Sequence, residues 1–310
     1  MLIGTSAPGG VATLPFHAHA SVWLVIAALA AFFWWSFTAV GPRLVLPGEQ
    51  VATRRQKAWI VAGIASMWIW AEYPLHDIAE RYLFLVHMLQ HTFYTLVAPA
   101  CLLLGSPPWM WRWLLSKRPI HLCARVFCRP LLALVVFNAL IAVTHWPKIV
   151  VASTHNELLH FTLHTVLFFS ALAMWFPVIN RLDGYTKLKA PTKMAYLFAQ
   201  SIVPTVPASF LAMSNGVMYS TYRDAARLIP GMTAIADQQI AAAIMKLGGG
   251  TLLWSVVGYL FFNWWKDSEA GRADDNVKRP RPVYRDPNGI RTLAGNEVLT
   301  WADVEAELSA

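Results

Sequence analysis

Long apolar stretches separated by short polar segments dominate this chain. A membrane-spanning helix needs about 20 mostly apolar residues, and stretches of this kind recur along the sequence. The pattern predicts an all-α, polytopic integral membrane protein with seven transmembrane helices. The predicted spans are Ala18–Val40, Ala58–Tyr73, Ala79–Leu104, Val126–Trp146, Thr154–Ile179, Thr192–Met213 and Ala234–Trp265.

The positions of Lys and Arg predict the orientation of the chain. Of the 25 Lys and Arg residues, 20 fall in the segments after predicted spans one, three, five and seven, and four fall on the other side. Cytoplasmic loops carry the excess of positive charge, so we expect the N-terminus outside and the C-terminus in the cytoplasm. The predicted organisation is a periplasmic segment 1–17, a membrane domain 18–265 and a polar cytoplasmic tail 266–310.

The composition agrees with a membrane protein. The chain is 56% hydrophobic and only 14% charged, which is too apolar for a soluble domain of this length. The net charge of +8 follows mainly from the orientation, so it does not indicate nucleic-acid binding. No catalytic triad, phosphate loop or nucleotide motif is present in the sequence, and we expect the protein not to be an enzyme.

Four histidines form the strongest chemical pattern. His87 with His91, and His160 with His164, have a spacing of four, so both rings of each pair lie on one face of a helix. Ionisable groups inside a membrane are rare and usually functional, and imidazole is the commonest metal ligand. Counted from Ala79, His87 is about 12 Å deep, in the same depth range as the second pair. We therefore predict a metal site formed by all four rings.

Acidic and sulfur-containing residues extend this pattern. Glu157 shares a helix face with His160 and His164, and Glu80 lies on the stripe of His87, so each carboxylate is a candidate for orienting a metal-bound imidazole. The alternative is that both are hydrated residues at helix N-termini. In the seventh span, Asp237 and Met245 lie on one stripe, and a thioether suits Cu(I).

Several motifs resemble one known family when taken in order. The sequence contains "PLHDIAERYLFLVHMLQH" from Pro74, "HWP" at His145–Pro147, "LHFTLH" at Leu159–His164, "MYSTY" at Met218–Tyr222 and "DQQIAAAIM" at Asp237–Met245. This set resembles the CtaG-type cytochrome c oxidase assembly factors of bacteria. The resemblance implies a protein of the inner membrane that acts in maturation of copper-containing oxidases. It implies the functional positions His87, His91, His145, His160, His164, Asp237 and Met245.

We therefore expect a copper-binding protein that holds Cu(I), because the candidate donors are neutral imidazoles and a soft thioether. It would supply the copper to an oxidase subunit by ligand exchange. A periplasmic copper chaperone is a further expected partner, and His17, His19 and His76 are candidates for capturing the ion near the outer surface. Two other interpretations stay open at this point. The histidines could bind a b-type haem, or serve with acids as the relay of a proton-coupled transporter.

Lys246 stands apart from this set. The family usually has an aromatic residue at the position after the methionine, whereas this chain has Lys246 within the seventh span. A lysine in a seventh helix would also fit a retinal protein. That interpretation is disfavoured because the spans offer no carboxylate at the same depth to act as its counter-ion.

Overall fold

The computed structural model describes residues 16, 19–180, 182, 184–278, 283–286 and 289–292, with side chains described up to residue 271. His17 and most of the predicted segment 1–17 therefore lie outside the described residues. The chain forms two compact units, Met1–Leu260 and Phe261–Ala310. The boundary falls close to residue 265, where the sequence predicts the end of the membrane domain.

The described residues from Ala20 to Lys278 form twelve helices. In chain order they are α1 (Ala20–Leu44), α2 (Arg54–Ala71), α3 (Leu75–Arg81), α4 (Phe84–Gly105), α5 (Pro108–Leu115), α6 (Arg118–Phe127), α7 (Pro130–Thr144), α8 (Pro147–Thr154), α9 (Glu157–Ile179), α10 (Ala190–Met213), α11 (Ser220–Arg223) and α12 (Ala234–Gly271, with helical backbone to Lys278). Single π turns widen α1 at Ser36–Val40, α4 at Phe93–Val97 and α12 at Ile244–Gly248.

The protein is an α-helical membrane protein. Five described helices, α1, α4, α9, α10 and α12, are long and apolar enough to cross a bilayer, and the bent pair α6 and α7 would make a sixth. Large apolar side chains such as Leu158 and Phe210 are 74% and 70% exposed, as expected of surfaces that face lipid. Helix α2 is the predicted second span, but it has only 18 residues and begins with three cations, Arg54, Arg55 and Lys57.

Two predicted spans differ from the structure. The predicted span Ala79–Leu104 is not one helix, because the backbone breaks at Tyr82 and Leu83 between α3 and α4. The predicted span Val126–Trp146 contains a bend of 83° between α6 and α7. Pro130 begins α7, and a proline at the first turn favours the start of a new helix over continuation of the old one.

Helices α2 and α4 approach each other closely at two glycines of the described membrane unit. A Cβ atom at Gly105 would lie 2.6 Å from Cδ1 of Ile60 and 2.8 Å from the backbone oxygen of Gln56. At Gly63 a Cβ atom would lie 3.0 Å from Cδ2 of Leu102. Small residues allow this kind of approach between membrane helices, so the glycines fix α2 against the span that carries the first histidine pair.

The tail contains a pair of short β-strands. Strand β1 (Val283–Asp286) pairs antiparallel with β2 (Gly289–Thr292), with Val283 opposite Thr292 and Asp286 opposite Gly289.

Candidate metal centre

The two histidine pairs occupy equivalent positions on two helices. Helix α4 begins at Phe84 and α9 begins at Glu157, so His87 and His160 are each the fourth residue of their helix. His91 and His164 are each the eighth. The two pairs therefore match in their positions along the helices, and His87 is only about 5 Å along α4 rather than the 12 Å expected from a start at Ala79.

Side-chain caps determine where both helices begin. The side-chain oxygen of Asn156 accepts a hydrogen bond from the backbone N–H of Leu159 at 3.0 Å. The carboxylate of Asp237, a residue of α12, caps α4. It accepts hydrogen bonds from the backbone N–H of Phe84 at 2.9 Å and from that of Leu85 at 2.9 Å. Caps of this kind satisfy backbone donors that the first helical turn leaves unpaired.

Three of the four paired histidines converge. One nitrogen from each of His87, His91 and His164 can be chosen so that all three lie within 4.8 Å of one another. The ring centroids are 4.5 Å apart for His87 and His91, 4.7 Å for His91 and His164, and 6.1 Å for His87 and His164. We call these residues the histidine trio.

The trio has unsatisfied nitrogens suited to a metal ion. The Nδ1 atoms of His87 and His91 are buried and have no hydrogen-bond partner in the described part of the chain. An unpaired buried polar atom costs free energy, and a metal ion would remove that cost. Nitrogens bound to one ion at about 2.0–2.1 Å lie about 3.3–3.6 Å apart, so the rings would need to move inward by only about 1 Å.

His160 is placed differently from the other three. Its ring stacks on that of His164, with centroids 4.2 Å apart and an interplanar angle of 23°. Its Nε2 lies 2.9 Å from Oε1 of Glu80, a residue of α3. In the structure, the four predicted histidines therefore divide into the trio and one histidine, His160, that contacts a carboxylate.

Glu80 also contacts a second histidine, His76. Its Oε1 lies 3.2 Å from Nε2 of His76, while Nδ1 of His76 lies 3.0 Å from Nε2 of Gln90. That amide nitrogen also donates to the backbone oxygen of Trp70 at 2.8 Å. Because an amide nitrogen can only donate, Nδ1 of His76 accepts, and the ring proton resides on Nε2 and faces Glu80.

Burial and hydrogen bonding set the protonation of this pair. Burial lowers the pKa of His76 from its usual value, and the negative charge of Glu80 offsets this effect only in part. For Glu80, burial alone would raise the pKa, but the hydrogen bond from His160 and the charges of His76 and His160 outweigh it. The pKa of Glu80 is therefore lowered, and this side chain is a carboxylate at neutral pH.

A further histidine and carboxylate lie beside His76. The Nε2 atom of His19 is 3.1 Å from Oδ2 of the buried Asp77, and the rings of His19 and His76 have centroids 4.5 Å apart. We call His19, His76, Asp77 and Glu80 the outer cluster. It places two of the three histidines predicted for ion capture next to two carboxylates, and His160 connects it to the trio.

His145 lies on the opposite side of the trio. Its ring centroid is 5.5 Å from that of His91, and its Nδ1 is 2.7 Å from the backbone oxygen of Ile141. A carbonyl oxygen only accepts, so Nδ1 carries the proton, and in a neutral ring Nε2 keeps a free lone pair. His145 is therefore available as a ligand through Nε2.

A cavity between α4, α7, α10 and α12 extends from these two histidines. Its lining includes His91, His145, Met88 and Met245. Met245 is partly buried between two clusters of core residues, which leaves packing as a role alongside the predicted one of a ligand. The cavity brings two thioethers to the same space as two imidazoles.

The two remaining predicted residues take other positions. Both carboxylate oxygens of Asp237 accept backbone hydrogen bonds from the start of α4, and the residue is fully buried. Asp237 thus acts on the trio through the helix that carries His87 and His91. Glu157 is exposed in the first turn of α9, where a negative charge suits the helix dipole.

Several residues that shape the site were not predicted to do so. Gln90, between the first pair, orients His76, and Asp77 contacts His19. Two tyrosines of the "MYSTY" motif hold the surrounding backbone: Tyr219 donates to the oxygen of His145 at 3.0 Å, and Tyr222 donates to that of Ala79 at 2.8 Å. The sequence indicates a role only for Gln90, which lies inside "HMLQH", because a buried amide in a membrane helix needs hydrogen-bond partners.

The comparison with known families identifies the family of this chain. A family model described as cytochrome c oxidase caa3 assembly factor (Caa3_CtaG) matches residues 31–267. The chain belongs to this family. The match covers the trio, His145, His160, Asp237 and Met245, and it supports a role in oxidase assembly. Neither the curated proteins nor the solved structures that were searched contain a significant match.

Proposed function

We propose that this assembly factor binds copper at the histidine trio and supplies it to an oxidase subunit during maturation of the enzyme. The observation that carries the proposal is the convergence of one nitrogen from each of His87, His91 and His164 within 4.8 Å. The buried Nδ1 atoms of His87 and His91, which have no hydrogen-bond partner among the described residues, add to it. Three neutral imidazoles form a ligand set that adds no negative charge to an apolar environment, where unpaired charges are costly.

The donors near the trio favour copper in its reduced state. Neutral imidazole binds several transition metals, whereas thioethers select for Cu(I). Met88 and Met245 line the cavity shared by His91 and His145, so an ion leaving the trio would meet a second set of neutral and soft donors. Transfer by exchange of ligands changes only the bonds between the metal and its ligands and forms no covalent product. The protein would therefore act as a carrier rather than as an enzyme.

The outer cluster would serve as the entrance. In the orientation predicted from the positive charges, α3 and the first turns of α4 and α9 lie on the outer side of a bacterial inner membrane. An ion delivered there, by a periplasmic copper chaperone or from solution, would first meet His19, His76 and their carboxylates. His160 contacts both Glu80 and His164, so it offers the next nitrogen on the way to the trio.

Metal analysis of the purified full-length protein tests this proposal. We expect bound copper in a fixed ratio to protein, lost in His164→Ala, and no strong Soret band. A Soret band with little copper would favour the b-type haem interpretation and contradict ours. In cells, deletion of the gene should lower copper-dependent oxidase activity without lowering the amount of oxidase polypeptides, and His164→Ala should fail to restore it.

A further inference from the structure

Lys246 is a cation within a membrane span that none of the roles above uses. It lies twelve residues after the start of α12, about 18 Å along the helix, in the π turn Ile244–Gly248. The residue is exposed. Among the described side chains it forms no ion pair or hydrogen bond. Charged residues at such depth are rare, usually paired, and usually functional.

The lysine lies at the edge of the cavity described above. Gly249 and Gly250 from α12, Gln200 and Ser201 from α10, and two threonines of α4, Thr92 and Thr95, line the same cavity. This edge therefore combines one positive charge with neutral polar groups. The hydroxyls of Thr92, Thr95 and Ser201 already donate to backbone oxygens of their own helices, so Lys246 is the group that a carboxylate entering from the side would pair with.

The surface around this edge is apolar and open. Leu247 is 64% exposed, and Phe198 contacts Trp254 with ring centroids 5.6 Å apart, both side chains being about half exposed. A Cβ atom placed on Gly250 would meet nothing within 4 Å. Glycines and other small residues at a helix surface let a second helix approach closely in a membrane.

We propose that Lys246 and this open surface dock a transmembrane helix of a partner protein that carries an Asp or Glu near the middle of its span. Charge complementarity selects the occupant, because a lone lysine and a lone carboxylate are each costly in lipid and satisfy each other when paired. An assembly factor meets its oxidase subunits within the membrane, so a helix is the expected form of the partner. The proposal does not depend on copper binding.

Model helices in liposomes test the proposal directly. The full-length protein, labelled with a fluorophore at the exposed Cys123, would be reconstituted in phosphatidylcholine with quencher-labelled Leu/Ala helices of about 20 residues. Two helices differ only in a central Glu or Gln. We expect saturable quenching by the Glu helix at about tenfold lower peptide density than by the Gln helix, and loss of this preference in Lys246→Leu.

Two variants make the result specific. Lys246→Glu should reverse the preference, so that a helix with a central Lys binds better than the Glu helix. Gly250→Leu should weaken docking of the Glu helix through bulk while leaving the charge in place.

Equal binding of the Glu and Gln helices would overturn the proposal. So would Lys246-dependent binding of decanoate without binding of the Glu helix, which would assign the cavity to a small anion. Copper content should be unchanged in Lys246→Leu, which adds no sulfur to the cavity and so separates this test from that of the metal site.

Discussion

The Nε2 atom of His160 lies 2.9 Å from Oε1 of Glu80, while its ring stacks 4.2 Å from that of His164. His160 is thus held by a carboxylate from a different helix and lies against the histidine trio without joining it. The two histidines of this pair therefore have different surroundings. We expect His164 to bind the metal ion, and His160 to pass an ion inward or to support its neighbour.

This difference predicts unequal effects on copper binding. His164→Ala removes a member of the trio and should abolish stoichiometric copper. His160→Ala leaves all three trio nitrogens in place and should retain copper with weaker affinity and slower loading. His155, exposed in the same region, provides the matched control, and His155→Ala should bind as the wild type does. The measurement is the amount of copper per protein after dialysis. Equal loss of copper in His164→Ala and His160→Ala would support the predicted four-histidine site instead of the trio.

Met245→Leu tests whether sulfur contributes to the site. The substitution preserves volume and hydrophobicity, so its packing cost should be below about 1.5 kcal/mol. It removes a soft donor, which should weaken Cu(I) more than Zn(II). Competition with a Cu(I) chelator and a Zn(II) chelator gives the two affinities. If both affinities stay at their wild-type values, Met245 only packs against the helices around it.

Asp237→Ala should reduce stability even when no metal is present. The carboxylate caps α4 through two backbone N–H groups, and loss of a helix cap costs about 0.5–2 kcal/mol. We expect a lower thermal midpoint for the metal-free protein, together with weaker copper binding. Asp237→Asn retains one acceptor oxygen, so its thermal midpoint should lie between those of the wild type and Asp237→Ala. A role as ligand alone would leave the metal-free midpoint unchanged.

The partly buried His76 predicts a loss of stability on mild acidification. Its pKa is lowered in the folded protein, so the unfolded chain binds the proton more tightly. Stability is therefore complete above the unfolded value of about 6.5 and decreases as the pH falls below it toward the folded pKa. The thermal midpoint should drop between about pH 7.5 and pH 5.5, and His76→Gln should reduce that drop. His155→Gln, at an exposed position, should leave it unaltered.

Labelling with a membrane-impermeant maleimide tests the predicted orientation. The native Cys123 is exposed in α6, on the side predicted to be cytoplasmic, so it should react only after permeabilisation. A cysteine introduced as His155→Cys should react in intact cells or right-side-out vesicles. The opposite pattern would place the outer cluster and the trio in the cytoplasmic half and exclude periplasmic delivery of the metal.

The local patterns of the sequence predict the membrane fold and the two histidine pairs. The i, i+4 spacing depends only on helix geometry, and the paired positions in α4 and α9 follow from it. The break at Tyr82 and Leu83 could not be predicted in the same way. It depends on Asp237, more than 150 residues away in the chain, whose carboxylate begins a new helix at Phe84. Tertiary contacts of this kind leave no periodic signal.

The separation of His160 from the trio has a similar origin. Glu80 lies on the same predicted stripe as His87, and its residue type suggests a partner for an imidazole. Only after the chain turns between α3 and α4 does Glu80 face α9 instead of its own sequence neighbours. The proton position on His76 likewise depends on Gln90 and Trp70, whose meeting requires α2 and α4 to be packed together.

The glycine contacts between α2 and α4 have a consequence for how the protein enters the membrane. Helix α2 has only 18 residues, with three cations in its first turn, so its apolar part is short for a span of about 20 residues. A single added methyl group at Gly105 would collide with Ile60 and with the backbone of Gln56. We therefore expect the membrane insertion of α2 to depend on contact with α4, which is synthesised later. A larger side chain at Gly105 should then leave α2 at the membrane surface.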